Sequence, residues 1–157
     1  MSGVTVGTVI RELNPTNALQ MVSLTVNNVC NLSCPHCYLQ YARPDFFITQ
    51  HLQESLLSED FSRLAIVGME PLVNAKTARQ TAQLAAYASE TGKLPSIVTN
   101  GHGLTHLPTE DLRRFERIDI SLDGGPISYY NFRGASFSKL MRNVEHALNS
   151  GTNINAL

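Results

Sequence analysis

RIDISLDGG, residues 117–125, is the stretch that decides the fold. Ile118, Ile120 and Leu122 fall on one face of an extended chain, and Asp119, Ser121 and Asp123 fall on the other. The Asp-Gly-Gly that follows is turn chemistry. One apolar face and one polar face predict a strand with helices packed on one side and a polar cavity on the other. Downstream, SFSKLMRNVEHALNSG (136–151) brings Phe137, Leu140, Met141, Val144, Ala147 and Leu148 onto one helical stripe that closes at Gly151. A strand followed by an amphipathic helix is a βα unit.

The same alternation runs outward through the chain. QMVSLTVNN (20–28) sets Val22, Leu24 and Val26 against Ser23, Thr25 and Asn27. LAIVG (64–68) is a short buried strand, and PSIVTNG (95–101) is a strand entering an Asn-Gly turn. Helices are predicted between them. FITQHLQESLL (47–57) carries Ile48, Leu52 and Leu56 on one face, and AKTARQTAQLAAYASETG (75–92) is alanine-rich and stops at Gly92. PTEDLRRF (108–115) has Thr109 as its expected N-cap. TNINAL (152–157) opens a fifth strand.

The predicted class is α/β: a partial (β/α)6 TIM-like barrel of parallel strands with four to five βα units. An N-terminal extension is expected over residues 1–19. A single core domain follows over 20–157, expected to be the N-terminal part of a longer protein and cut before its final strands, with an open sheet edge. Sites in such folds lie at the C-terminal strand ends. Here those ends are Asn27 to Cys30, Gly68 to Pro71, Thr99 to Gly101 and Ser121 to Asp123.

Composition narrows the function. Hydrophobic residues make up 43% and charged residues 16%, which is ordinary for a folded globular chain. Net charge is −1 with no Lys/Arg-rich run, so nothing suggests a nucleic-acid partner. No apolar run reaches membrane-spanning length, and the first twenty residues lack the basic start and apolar stretch of a signal peptide. A cytoplasmic protein without a membrane partner is expected.

The chemistry concentrates in CNLSCPHCY (30–38). Cys30, Cys34 and Cys37 are the only cysteines in the chain, and an odd count argues against a disulfide framework. Three readings stand. A structural zinc ion would need a fourth ligand such as His36 or His102, yet the C-x3-C-x2-C spacing is unusual for zinc, and His36 lies between two of the ligands. Three buried structural thiols sit poorly in a segment carrying Asn31, Ser33, Pro35 and His36. A 4Fe–4S cluster held by three thiolates leaves one iron open to a cofactor or substrate.

CNLSCPHCY resembles the C-x3-C-x-aromatic-C signature of the radical S-adenosylmethionine (radical SAM) enzymes, with His36 at the aromatic position. GMEP (68–71) resembles the family's GGEP, and VTNG (98–101) and ISLDG (120–124) match motifs at the ends of its third and fourth strands. The run from Ser121 to Gly151 is similar to the peptide- and protein-modifying branch that often carries SPASM domains. The resemblance covers about residues 20 to 157. Met69 stands where the family has its second glycine, and cysteines for auxiliary clusters are not present in the sequence.

The resemblance implies that Cys30, Cys34 and Cys37 each hold one iron of a 4Fe–4S cluster whose fourth iron is chelated by S-adenosylmethionine. Reductive cleavage of that cofactor would release a 5′-deoxyadenosyl radical, which takes hydrogen from a peptide or protein substrate. The electron donor would be a flavodoxin or ferredoxin. Glu70, in the segment begun by Gly68, would accept from the cofactor's ammonium, and Ser121 and Arg133 would bind its carboxylate. His36 would lie near the adenine, and Asn100 and Asp123 would line the pocket. Tyr129 and Tyr130 read equally well as packing residues, and His51, His106 and His146 as ordinary helix or loop histidines. The competing expectations are a non-catalytic zinc- or cluster-binding module and an incomplete, inactive radical SAM fragment.

Overall fold

A computed structural model describes residues 10–13, 19–39 and 50–157. Its centre is a six-stranded sheet in the order β1-β2-β3-β4-β5-β6. The strands are β1 (Ile10–Leu13), β2 (Leu19–Thr25), β3 (Phe61–Val67), β4 (Leu94–Thr99), β5 (Arg117–Ile120) and β6 (Ile154–Ala156). Strands β2 to β6 pair in parallel, each with its neighbour in sequence. The connections carry the helices α1 (Gln50–Leu57), α2 (Ala75–Glu90), α3 (Thr109–Leu112), α4 (Pro126–Arg133) and α5 (Phe137–Asn149). The expected α/β architecture, with five parallel strands, is what the chain forms.

Branched apolar side chains set the register. Leu24 pairs with Ile66, Ile66 with Ile97, Ile97 with Ile118, and Ile118 with Ile154, so one row runs across the parallel sheet. The first four are almost fully buried. A one-residue slip of any strand would turn this row away from the helices and bring the polar row under them.

Helix α2 covers this face with small side chains: Ala78, Ala82, Ala85 and Ala88 are buried alongside Leu84. Its start is fixed by a capping box, in which Asn74 Oδ1 accepts from the Lys76 and Thr77 N–H groups and Thr77 Oγ1 accepts from the Asn74 N–H. Asn74 therefore caps this helix, and Glu70 is left free of that duty.

Several expectations need correction. Strand β5 ends at Ile120, so Ser121 and Asp123 belong to the loop beyond it and not to its polar face. Pro108, not Thr109, occupies the N-cap position of α3, and no side chain caps that helix. On α5 the buried stripe is Leu140, Asn143 and Ala147, while Met141 and Leu148 are exposed. Asn143 is buried there because its Nδ2 donates to the Gly101 and His102 carbonyls, which satisfies two loop acceptors under the helix. Helix α4 and the antiparallel strand β1 carried no periodic signal strong enough to predict. The start of the expected helix at 47–49 lies outside the described residues.

The loop after β4 passes close to the segment after β3. A Cβ on Gly103 would lie 2.0 Å from the Leu72 carbonyl oxygen. Gly92, in the turn after α2, has φ +77 but open space around it. Gly92→Ala is expected to cost about 1 kcal/mol through its left-handed backbone. Gly103→Ala must also separate two backbone segments, and is expected to cost at least about 2–3 kcal/mol. Urea denaturation of both variants checks the contrast, and equal losses would contradict the close approach.

Candidate functional site

The C-terminal ends of the parallel strands converge on one cavity of about 240 Å³. Each strand end supplies part of its wall. The cysteine loop after β2 brings Cys30, Cys34 and Cys37; the segment after β3 brings Gly68, Met69 and Glu70; β4 ends in Thr99 and Asn100; β5 leads into Ser121. Arg133 reaches the same cavity from the last turn of α4. A second hollow, of about 380 Å³, adjoins it and is lined by the same three cysteines with Leu32, Ser33 and Met69. The thiols thus stand between two open volumes.

Glu70 is the buried charge of the site, with 1% of its surface exposed. Its Oε1 accepts from the Thr99 hydroxyl at 2.6 Å and the Leu72 N–H at 2.9 Å, and its Oε2 accepts from the Asn100 N–H at 2.7 Å. A carboxylate offers about four acceptor positions, so one remains on Oε2. Asn27, also 1% exposed, fixes the backbone at the same point. Its Nδ2 donates to the Glu70 carbonyl at 2.9 Å, and its Oδ1 accepts the Glu70 N–H at 3.4 Å.

This contact explains which residue of GMEP has to be small. A Cβ on Gly68 would lie 2.7 Å from Asn27 Oδ1, whereas Met69 is half-buried and projects into the cavity walls. A side chain at 68 would displace the Asn27 amide from its contacts with Glu70. At 69 the chain accommodates a long side chain.

The other expected residues divide. Asn100 faces the cysteines: its Nδ2 lies 2.8 Å from Asn31 Oδ1 and 3.7 Å from Cys30 Sγ. Ser121 is half-buried on the cavity wall, and its N–H donates to the Thr99 carbonyl at 2.9 Å. His36 is exposed at the rim, edge-on to Phe132 with centroids 5.9 Å apart. Asp123 is not among the residues lining this cavity, and its Oδ2 forms an ion pair with Arg133 Nε. It orients the arginine instead of lining the pocket.

Sequence reading missed the supports: Asn27, Thr99 and the buried His102–Tyr129 pair, 3.0 Å from Nε2 to hydroxyl oxygen. Asn27 and Thr99 sit at strand ends, but nothing local in the sequence marks a strand-end polar residue as a partner of a distant carboxylate. Burial pushes the Tyr129 hydroxyl up to about 12, with Arg133 opposing, so it stays protonated. Burial also raises the Cys30 thiol above its ordinary value, and the Leu32 N–H and the Asn100 amide pull against it.

Among the described residues, no three His, Cys, Asp or Glu side chains are grouped closely enough to hold one metal ion. No helix is long and apolar enough to cross a membrane.

Burial pushes the Glu70 carboxyl above its ordinary range, and the Thr99, Asn100 and Leu72 donors pull it back only in part. A carboxyl that holds its proton more tightly when folded adds stability below its unfolded pKa of about 4.3. That contribution is lost as pH rises through the higher folded value. Unfolding free energies of the wild type and Glu70→Gln, measured by urea titration from about pH 4 to pH 8, test this. The wild type is expected to lose stability relative to the variant as pH rises, and parallel profiles would refute it.

No protein-family model matches the chain, and no curated protein sequence matches it. Solved structures do. Streptococcus suis SuiB bound to its precursor peptide SuiA superposes with a TM-score of 0.70 at 16% identity, covering 89% of this chain and 33% of SuiB. SuiB bound to S-adenosylmethionine gives 0.67 at 15% identity, over 88% and 33%. Methylornithine synthase (PylB) gives 0.63 at 14% identity, over 88% of this chain and 44% of the synthase. The chain thus spans between a third and a half of the length of these enzymes. The strand order and these superpositions agree on one conclusion: the chain has the fold that SuiB and methylornithine synthase share over this part of their length.

Proposed function

We propose that this chain carries the cluster- and cofactor-binding part of a radical SAM enzyme acting on a peptide or protein. The observation that carries the reading is the single cavity shared by three cysteines, a buried carboxylate and an arginine. The donor set fits a 4Fe–4S cluster. Cys30, Cys34 and Cys37 would each hold one iron of such a cluster and leave the fourth open to a cofactor. Cys30, Cys34 and Cys37 border the same two hollows, and the cavity beside them is lined by the residues proposed to hold the cofactor.

A 4Fe–4S cluster held there would supply one-electron reduction of S-adenosylmethionine to a 5′-deoxyadenosyl radical, with the electron coming from a donor of the flavodoxin or ferredoxin class. The protein's own residues do the holding. Glu70 keeps one acceptor position on Oε2 for the cofactor's ammonium, and its three internal donors fix where that position points. Arg133, steered by Asp123, presents a planar guanidinium to the carboxylate, with Ser121 beside it on the wall. Gly68 and His36 border the same cavity. Leu32, Val98 and Met69 line it with apolar surface that excludes water. A peptide substrate is supported by the superposition on SuiB with its precursor peptide.

Anaerobic reconstitution is expected to load about four iron and four sulfide per chain, with loss of the cluster when any one cysteine becomes alanine. Reduced protein is expected to convert S-adenosylmethionine to 5′-deoxyadenosine. Stoichiometric zinc without cluster under these conditions would overturn the reading. Arg133→Lys is expected to weaken S-adenosylmethionine binding about ten- to hundredfold, the loss of a charged hydrogen bond. Calorimetric titration of the loaded protein checks it, and unchanged affinity would remove Arg133 from the cofactor site.

A further inference from the structure

Asn100 stands where the two halves of the site meet. Its backbone N–H donates to Glu70, and its side-chain amide faces the cysteine loop. The orientation of that amide is fixed from behind. Oδ1 accepts the His102 N–H at 2.9 Å, which turns Nδ2 toward Asn31 Oδ1 and Cys30 Sγ. His102 is itself held by two buried groups: its ring meets the Tyr129 hydroxyl, and its carbonyl accepts Asn143 Nδ2 at 3.0 Å. A second donor, the Leu32 N–H, reaches Cys30 Sγ at 3.3 Å. The Cys30 sulfur therefore receives one N–H from its own loop and one from a residue 70 positions away.

An N–H group directed at a ligating sulfur withdraws electron density from the thiolate and weakens its donation to iron. The reduced, more negative state of a cluster gains from this more than the oxidised state does. We propose that Asn100 is a tuning residue, which raises the reduction potential of the cluster through its hydrogen bond to the Cys30 sulfur. The proposal rests on the cluster reading above. Asn100 acts through Cys30 and moves no proton or substrate itself. Asn31 Oδ1, at 2.8 Å, competes for the same amide. Removing that acceptor leaves the sulfur as the principal partner of Nδ2.

The test is the midpoint potential of the anaerobically reconstituted protein, read by redox titration with EPR detection, in the wild type, Asn100→Ala and Asn31→Ala. Asn100→Ala is expected to shift the potential lower, and Asn31→Ala to leave it no lower than wild type. A wild-type potential in fully loaded Asn100→Ala overturns the proposal. So does an equal fall in both variants, which would assign the effect to loop order instead of the sulfur contact. A second measurement needs no substitution. Protein grown with 15N-asparagine is expected to show a 15N coupling to the reduced cluster by pulsed EPR, and its absence overturns the proposal even if Asn100→Ala fails to fold. A wild-type protein that takes up no cluster overturns the cluster reading itself. A loaded cluster with an unmoved potential overturns only the tuning.

Discussion

A carboxylate cannot be buried without donors, and in this chain that requirement knits the site together. Desolvating Glu70 costs several kcal/mol unless hydrogen bonds replace its water. The replacements come from the Thr99 hydroxyl and the Asn100 N–H at the end of β4, and from the Leu72 N–H two residues on. Asn27, just past the end of β2, holds the backbone of Glu70 in both directions. Glu70 therefore ties three adjacent strand ends, through its carboxylate to β4 and through its backbone to the residue after β2. Those same ends carry the cysteine loop, the Gly68–Glu70 segment and Asn100. The geometry of the cavity follows from satisfying Glu70.

Close backbone approach is the second constraint, and it acts in series with the first. Asn27 can reach Glu70 only because residue 68 has no side chain, and the loop after β4 can pass Leu72 only because residue 103 has none. Gly101 combines φ +79 with a Cβ position 2.4 Å from Leu140, so α5 packs directly on this turn. From there Asn143 and His102 carry the support back to Asn100. The cavity wall is thus braced from the helix side of the sheet, by residues that never touch the cavity.

Much of the fold was legible because burial leaves a period in the sequence. The alternation in 20–28 and 117–120, the alanine face of α2 and the stop at Gly92 each follow from one element's local geometry. The cysteine spacing was legible for a related reason, since three ligands in one loop need no partner from elsewhere to be noticed. What failed to show had no local period. Strand β1 gains its order from pairing with β2, and α4 has mostly exposed residues around buried Tyr129. On α5 the apolar stripe misled: a buried asparagine answers two loop carbonyls, while Met141 and Leu148 are exposed.

The sequence by itself determined the α/β class, the alternation of the parallel strands with most of the helices between them, and the gathering of three cysteines in one loop. Those depend on local periodicity and on side-chain type, both of which are written along the chain. Tertiary structure alone decided their roles. It made Glu70 a buried acceptor and not a helix cap, and set Asp123 on Arg133 instead of on the cavity. It also aimed the Asn100 amide at a sulfur 70 positions away. Each of those outcomes depends on which donors meet which acceptors once water is removed, and that pairing exists only after the strand ends have been brought together.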